Sequence, residues 1–212
     1  MKHILCISAP AQHNHHAFAR VLLEDAGPRW AQQSLGCIVN LVTGDPQPHW
    51  HAIVELWLAD ETPFESLDIA QYADVIHEYA AYSVSEQVEK DELLDSNQRT
   101  TAIKQIAAWQ RRSNITSAQA QQLWDKHVPL ANRVHVGCVR YVRHRVLGAS
   151  SPSPAYEGFA FQYFLTQQDL QARMFDKPES VQLIMDDTSQ FIEQFEVFVC
   201  QEHIVKSQRA TA

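Results

Sequence analysis

The sequence predicts an α+β fold in which one unit, with the element order strand, helix, strand, strand, helix, strand, occurs twice. The first observation behind this prediction is a repeat, since residues 22–42 can be laid over residues 123–143 without a gap. The identical positions include Leu22 with Leu123, Pro28 with Pro129, and Gly36-Cys37 with Gly137-Cys138. The second observation is that alternating apolar segments follow these matches in the same order in both halves. We therefore expect two repeats, residues 1–92 and residues 102–212.

Alternation of apolar and polar residues predicts four strands in each repeat. The first repeat has predicted strands at residues 2–8, 35–42, 50–58 and 79–89, and helices over 12–25 and from Phe64. The second repeat has predicted strands at residues 104–111, 134–146, 156–165 and 195–206. Its helices are expected from the N-cap residue Thr116 to about Asn132, from 166–169 onward, and over 187–194. The polar stretch 91–101 is a predicted linker, and the Ser/Pro-rich stretch 148–154 a predicted loop.

This element order is that of a ferredoxin-like unit, whose helices pack on one face of a four-stranded antiparallel sheet. The strand near residue 160 is largely apolar on both faces, so a single unit would leave apolar surface exposed. One face carries Phe159, Phe161 and Tyr163, and the other carries Ala160, Gln162 and Phe164. We therefore expect tandem ferredoxin-like repeats whose sheets cover each other in a dimeric α/β-barrel-type arrangement within one chain. Alternatively, two independent ferredoxin-like domains lie side by side.

The composition excludes several classes of protein. A count of 17 Lys and Arg against 25 Asp and Glu gives a net charge of −8, which opposes binding to a nucleic-acid backbone. No apolar run approaches the roughly 20 residues that a membrane-spanning helix needs. The N-terminal apolar stretch is too short for a secretory signal. The four cysteines, Cys6, Cys37, Cys138 and Cys200, form no Cys-x-x-Cys pair, so we expect buried thiols and a cytoplasmic protein.

The clearest candidate for chemistry is a histidine in the predicted helix of the second repeat. The run Trp124-Asp-Lys-His127-Val-Pro129 places His127 one turn after a tryptophan and before a proline that is expected to end the helix. The dipole at a helix C-terminus favours the imidazolium, so His127 is a candidate proton donor or acceptor near neutral pH. Alternatively, His127 caps the helix or is a core histidine.

Several motifs follow one another around this histidine. They are Leu123-Trp124-x-x-His127-x-Pro129-Leu130-Ala131, Gly137-x-x-Arg140-Tyr141-Val142, Asp187-x-x-x-Phe191-Ile192 and Glu202-x-Ile204. In this order they resemble the EthD family, whose members are similar in having ferredoxin-like α/β-barrel folds. The resemblance implies a cofactor-independent enzyme, a lyase or isomerase of the dehydratase, decarboxylase or isomerase type, that acts on a small aromatic or lactone-like metabolite. Ala120 and Val128 depart from the family pattern, which often has Phe and a charged residue there.

The two repeats differ at the positions of this motif. The first repeat has Leu23, Ala26 and Asn40 where the second has Trp124, His127 and Tyr141. If the motif is catalytic, the first repeat is a degenerate copy that serves as scaffold, and each chain has one site.

From the resemblance and the strand pattern, we expect His127 as general acid/base and Tyr141 as a phenolic donor to be catalytic. The expected substrate-binding residues are Trp124, Arg140, Phe159, Phe161 and Tyr163. Because side chains alternate along a strand, only one of Arg140 and Tyr141 faces the site. We favour Tyr141, with Arg140 in a surface ion pair. The ligand is expected to be flat, neutral or anionic, and held mostly by apolar contact.

Other groups have weaker functional interpretations. The runs His13-Asn-His15-His16 and His49-Trp-His51 are candidate metal ligands, and haem bound through His127 or His203 is a further alternative. The pair Asp186-Asp187 is expected to supply negative charge at a helix N-terminus, or alternatively to belong to an acid/base site. Our prediction is a protein with no metal and no cofactor. A homodimer and a monomer closed within one chain both remain open.

The leading hypothesis is thus a small-molecule enzyme that uses His127. The alternative is a non-catalytic ligand-binding or accessory α/β-barrel protein.

Overall fold

The computed structural model describes residues 1–11, 14–43, 49–92, 103–150 and 153–207. Residues 93–101 of the predicted linker, residues 151–152 of the predicted loop, and His13 lie outside the described residues. The chain forms two compact units. The first comprises Met1–Ser85, Leu147–Pro154 and Cys200–Ala212, and the second comprises Glu86–Val146 and Ala155–Val199.

The first unit has the predicted order of elements. Its elements are β1 (Lys2–Ser8), α1 (His15–Val21), α2 (Gly27–Gln32), β2 (Gly36–Thr43), β3 (Ala52–Trp57) and most of β4 (Glu78–Asp91). The helix that the sequence predicts over residues 12–25 continues further in the structure, to Gln32, because a π-helical turn, Leu22–Ala26, joins α1 to α2. Two short 3₁₀ turns, Phe64–Leu67 and Ile69–Tyr72, replace the second helix. The indole N–H of Trp30 donates to the Leu67 carbonyl at 3.0 Å, which ties the first of these turns to the core.

The second unit contains the longest helix in the described ranges. Its elements are β5 (Ile103–Arg111), α3 (Ser117–Val134), β6 (Arg140–Ala149), β7 (Gly158–Phe164), α4 (Gln167–Ala172), α5 (Glu179–Thr188) and β8 (Ile192–Lys206), and the ends of β6 and β8 belong to the first unit. Thr116 is the N-cap of α3, as its sequence predicts, and forms a capping box with Gln119. None of the described helices is both long enough and apolar enough to cross a membrane.

The eight strands form one antiparallel sheet. They are hydrogen-bonded in the order β1-β3-β2-β8-β5-β7-β6-β4, and the sheet closes on itself as a β-barrel. Within the second unit, β7 lies between β5 and β6. The register pairs Gln162 of β7 with Gln105 of β5 on one side and with Tyr141 of β6 on the other. These three side chains therefore share one face of the sheet.

Two expectations about the helices are wrong. The helical segment predicted over 187–194 is instead α5, Glu179–Thr188, so Asp187 lies near a helix C-terminus and not an N-terminus. Pro129 does not end α3, because the helix continues to Val134. Pro129 cannot donate to the carbonyl four residues earlier, but its fixed φ is compatible with helical backbone. His127 is consequently an interior residue of α3, and a helix-end dipole does not set its charge.

Candidate functional site

Helix α3 and the sheet of the second unit enclose a cavity of about 370 Å³. Its walls come from α3, α5, β5, β6 and β7, together with the first residues of β8. Aromatic rings from several of these segments line it, namely Trp109, Trp124, Phe175, Phe191 and Phe195. Among the described residues that line the cavity there is no Lys, Arg, Asp or Glu. The lining therefore suits a mostly apolar ligand.

His127 lines this cavity and is held by a carboxylate. Its Nδ1 lies 2.7 Å from Oδ2 of Asp187, and only 8% of the imidazole side chain is exposed. A carboxylate only accepts hydrogen bonds, so Nδ1 carries the proton and Nε2 is the remaining ring nitrogen. Nε2 has no hydrogen-bond partner among the described residues. The arrangement leaves a basic nitrogen on a side chain that faces the cavity.

Burial determines the charge of this imidazole. Removal from water lowers the pKa of His127, while the hydrogen bond and charge of Asp187 act in the opposite direction. The charge of Arg143 lowers the pKa further. Because the net pKa is below the ordinary value of about 6.5, the imidazole is neutral at neutral pH. A neutral imidazole whose other nitrogen donates to a carboxylate is suited to act as a general base.

Tyr141 lies beside Trp124 at the same cavity. The Trp124 Nε1–H donates to the Tyr141 hydroxyl at 3.2 Å. Burial raises the pKa of Tyr141 well above its usual value, so the phenol stays protonated. Since the hydroxyl oxygen already accepts from Trp124, its own proton is available as a donor. Tyr141 thus offers a neutral hydrogen-bond donor.

A buried arginine, Arg143, contacts the Trp124 ring of the Trp124–Tyr141 pair. The Arg143 guanidinium lies 4.9 Å from the Trp124 ring centroid, within range of a cation–π interaction. It also forms ion pairs with Glu89 and, at 2.8 Å, with Asp125. These contacts hold the Trp124 indole against the sheet.

Three cavity residues were missed in the sequence. His135 donates its Nδ1–H to the Met174 carbonyl at 2.7 Å, which leaves its Nε2 as an acceptor, and burial lowers its pKa. Gln105 and Gln162 bring side-chain amides to the cavity. For the two glutamines the signal in the sequence was a polar residue within an otherwise apolar strand face, a pattern that marks a polar group on a covered face.

The predicted site residues fall into two groups. Trp124, His127 and Tyr141 line the cavity together. Arg140 does not line it; its Nε lies 3.4 Å from Asp91, and its guanidinium lies over the Tyr163 ring at 5.2 Å. Tyr163 is itself outside the cavity lining.

Phe159 and Phe161 are also absent from the cavity lining, although both are fully buried. Alternation along β7 directs Ala160 and Gln162 toward the cavity and the odd-numbered residues to the other face. The aromatic wall of the cavity is instead built from residues of β5, α3 and the segments around α5.

The histidines proposed as metal ligands have other contacts. His49 Nε2 lies 3.3 Å from Glu78, and His51 Nδ1 accepts the Ala9 N–H at 3.1 Å. His15 and His16 open α1, where the Asn14 side chain accepts from the His16 N–H. None of these contacts points to a metal site.

Solved structures share this fold. An anthrone oxidase-like protein has a TM-score of 0.68 at 9% identity, covering 100% of this chain and 95% of its own. A putative monooxygenase from Lactobacillus acidophilus NCFM has a TM-score of 0.56 at 7% identity, covering 98% and 95%. A putative monooxygenase from Fusobacterium nucleatum subsp. nucleatum has a TM-score of 0.58 at 8% identity, covering 97% and 92%. At such identities the likeness shows the fold alone. No family model and no curated protein matches the chain.

Proposed function

We propose that this protein is a small-molecule enzyme that begins its reaction by removing a proton from a hydrophobic aromatic substrate, with Nε2 of His127 as the base. The observation that carries the proposal is the 2.7 Å contact of His127 Nδ1 with Asp187. It fixes the tautomer, leaves Nε2 basic, and stabilises the imidazolium that forms when the substrate loses its proton.

The ligand class follows from the cavity. Rings of Trp109, Trp124 and Phe191 surround a space of about 370 Å³, which is large enough for two or three fused rings. Such a substrate gains most of its binding free energy from apolar contact. Tyr141 would donate to an oxygen of the substrate and thereby stabilise the anion left after proton removal.

The resemblance to EthD proteins and the fold neighbours support the same class of chemistry. Proton removal begins the dehydration or isomerisation that the resemblance implies. It also activates an anthrone for reaction with oxygen, which the name of the anthrone oxidase-like neighbour suggests. We also infer that the chain is a tandem ferredoxin-like repeat, 1–92 and 102–212. The strand neighbours β4-β1-β3-β2 and β8-β5-β7-β6 support this, because both have the strand order of that unit.

Deuterium exchange tests the proposal without assuming the later steps. Anthrone is a suitable probe, because its CH₂ group between two aryl rings is acidic. Exchange in D₂O under nitrogen is followed by proton NMR for the native protein, His127→Ala, and His77→Ala, which removes an exposed histidine. We expect the native protein and His77→Ala to accelerate exchange equally, and His127→Ala to lose roughly 100-fold of the acceleration.

Equal exchange rates for native protein and His127→Ala would overturn the role of His127. Tight binding of anthrone without accelerated exchange in the native protein would overturn catalysis and support the alternative, a ligand-binding protein.

A further inference from the structure

We propose that Gln105 and Gln162, together with Tyr141, form a specificity element that selects uncharged aromatic ligands with oxygen substituents along one edge. We call these three residues the polar row. The inference rests on the proposed function in one respect, because it places the ligand in the same cavity.

The register of the sheet builds the polar row. Gln162 is directly opposite Gln105 on one neighbouring strand and opposite Tyr141 on the other. Adjacent strands are about 4.8 Å apart, so the three groups lie side by side at similar spacings. All three residues line the cavity. The spacing matches that of oxygens on alternate carbons of an aromatic ring.

The two amides of the polar row are unsatisfied within the protein. Neither Gln105 nor Gln162 has a side-chain hydrogen-bond partner among the residues that the structure describes. Other glutamines of this unit do have partners within the protein; Gln119 accepts the Thr116 N–H at 2.8 Å, and Gln182 donates to Asp186 at 2.7 Å. An amide in an apolar cavity loses free energy unless a partner is supplied. A ligand with hydroxyl or carbonyl groups supplies that partner.

No Lys, Arg, Asp or Glu is among the described residues that line the cavity, and this defines the other half of the selectivity. Arg140, the cation expected from sequence to hold a carboxylate, pairs with Asp91 instead. Arg143 lies against the Trp124 ring but does not line the cavity, and it is paired with Glu89 and Asp125. His127 is neutral at neutral pH. A carboxylate brought into the cavity would lose its hydration without meeting a cation, which is costly.

The glutamine amides can meet neutral oxygen groups either as donors or as acceptors. Each glutamine side chain offers two N–H donors and one carbonyl acceptor, so it can bind a hydroxyl or a carbonyl equally well. The Tyr141 hydroxyl adds a donor at the end of the row, next to Trp124. The row therefore recognises a phenol or a ketone at each position.

Calorimetric titration with matched naphthalenes tests the inference. The probes are 1,3-dihydroxynaphthalene, naphthalene and 4-hydroxy-2-naphthoate, titrated at neutral pH into native protein, Gln105→Leu and Gln162→Leu. Gln110→Leu is the matched control, because Gln110 lies on β5 outside this cavity. We expect native protein and Gln110→Leu to bind the dihydroxy probe about tenfold more tightly than naphthalene. The carboxylate should bind about tenfold more weakly than the dihydroxy probe.

In Gln105→Leu and Gln162→Leu the preference for the dihydroxy probe should fall to about twofold, while naphthalene binds as well as or better than before. Equal native affinity for the dihydroxy probe and naphthalene would overturn the inference, as would an unchanged preference in both leucine variants or tightest binding of the carboxylate. Anthrone exchange, compared between native protein and His127→Ala, separates the two proposals. If anthrone exchange needs His127 but the titrations show no preference for the dihydroxy probe, only the polar row is overturned. If the titrations show that preference but exchange does not need His127, only the role of His127 as the base is overturned.

Discussion

Asp187 is placed where a carboxylate is electrostatically unfavourable. It is the second-last residue of α5, at the negative end of the helix dipole. Its 2.7 Å contact with His127 offsets this cost, because the imidazole donates Nδ1–H to it. A residue that is unfavourable at its own position in a helix but stabilises a neighbouring side chain is typical of functional sites.

Replacing Asp187 by Asn tests this contact through the pH dependence of anthrone exchange. The Asp187 carboxylate raises the pKa of His127, so its removal should lower that pKa further. Activity is lost at low pH as the imidazole protonates, and this acid limb should therefore move to lower pH in Asp187→Asn. The plateau rate should fall about tenfold or more, since the imidazolium formed is less stabilised. Asp186→Asn is the control, and an acid limb that stays in place or moves upward in Asp187→Asn would contradict the assignment.

Gly158 leaves room for the Trp124 ring. A Cβ at this position would lie 2.6 Å from Cζ3 and 2.9 Å from Cη2 of Trp124, and 3.0 Å from the His144 carbonyl oxygen. We expect Gly158→Ala to lower the free energy of unfolding by about 1–3 kcal/mol, measured by urea denaturation, because the indole must shift. Gly148→Ala is a milder control, since its Cβ would meet only Ser83 Oγ at 3.1 Å. A Gly158→Ala protein of native stability would show that Trp124 can move freely.

Helix α3 brings the cavity residues together by its own periodicity. Trp124, His127 and Ala131 are three or four residues apart, so they share one face, and all three line the cavity. His135, which follows the helix, extends this line. The start of α3 is set by the hydrogen bond from the Gln119 N–H to Thr116 Oγ1 at 3.2 Å.

Thr116→Ala tests how much this cap contributes. Loss of the side-chain acceptor leaves an orphan N–H at the first turn of α3, and we expect the free energy of unfolding to fall by about 1 kcal/mol in chemical denaturation. Thr116→Ser keeps the hydroxyl and should retain most of the native stability. Equal losses in both variants would mean that the threonine methyl, and not the cap, provides the stabilisation.

Helix α5 differs from α3 because few of its residues are buried. Ser180 is its buried residue, whereas Val181, Leu183 and Met185 are 43–46% exposed. Three of its four apolar residues are thus largely exposed, and the helix that we predicted over 187–194 lies too late in the chain. The helix forms here because Ile184, Met185 and Thr188 close the cavity against α3.

All four cysteines of the whole chain are buried, and none forms a disulfide. Burial raises the pKa of Cys37 to about 12 and that of Cys138 to about 11, so neither thiol forms a reactive thiolate near neutral pH. We expect no rapid reaction with Ellman's reagent in the native protein and four reactive thiols in denaturant. Rapid labelling of any thiol under native conditions would contradict the buried core described here.

The sequence alone determined the strands, their order along the chain and the cap at Thr116, and it singled out His127 as the candidate catalytic residue. These features depend on residues a few positions apart, whose periodicity and spacing can be read directly. The tertiary structure decided which partner His127 has, because Asp187 lies 60 residues away along the chain. It also decided which face of β7 meets the cavity, and thus that Gln162 and not Phe161 lines it. Such choices depend on which helix covers which face of a sheet. A strand that is apolar on both faces does not indicate that choice in its local sequence pattern.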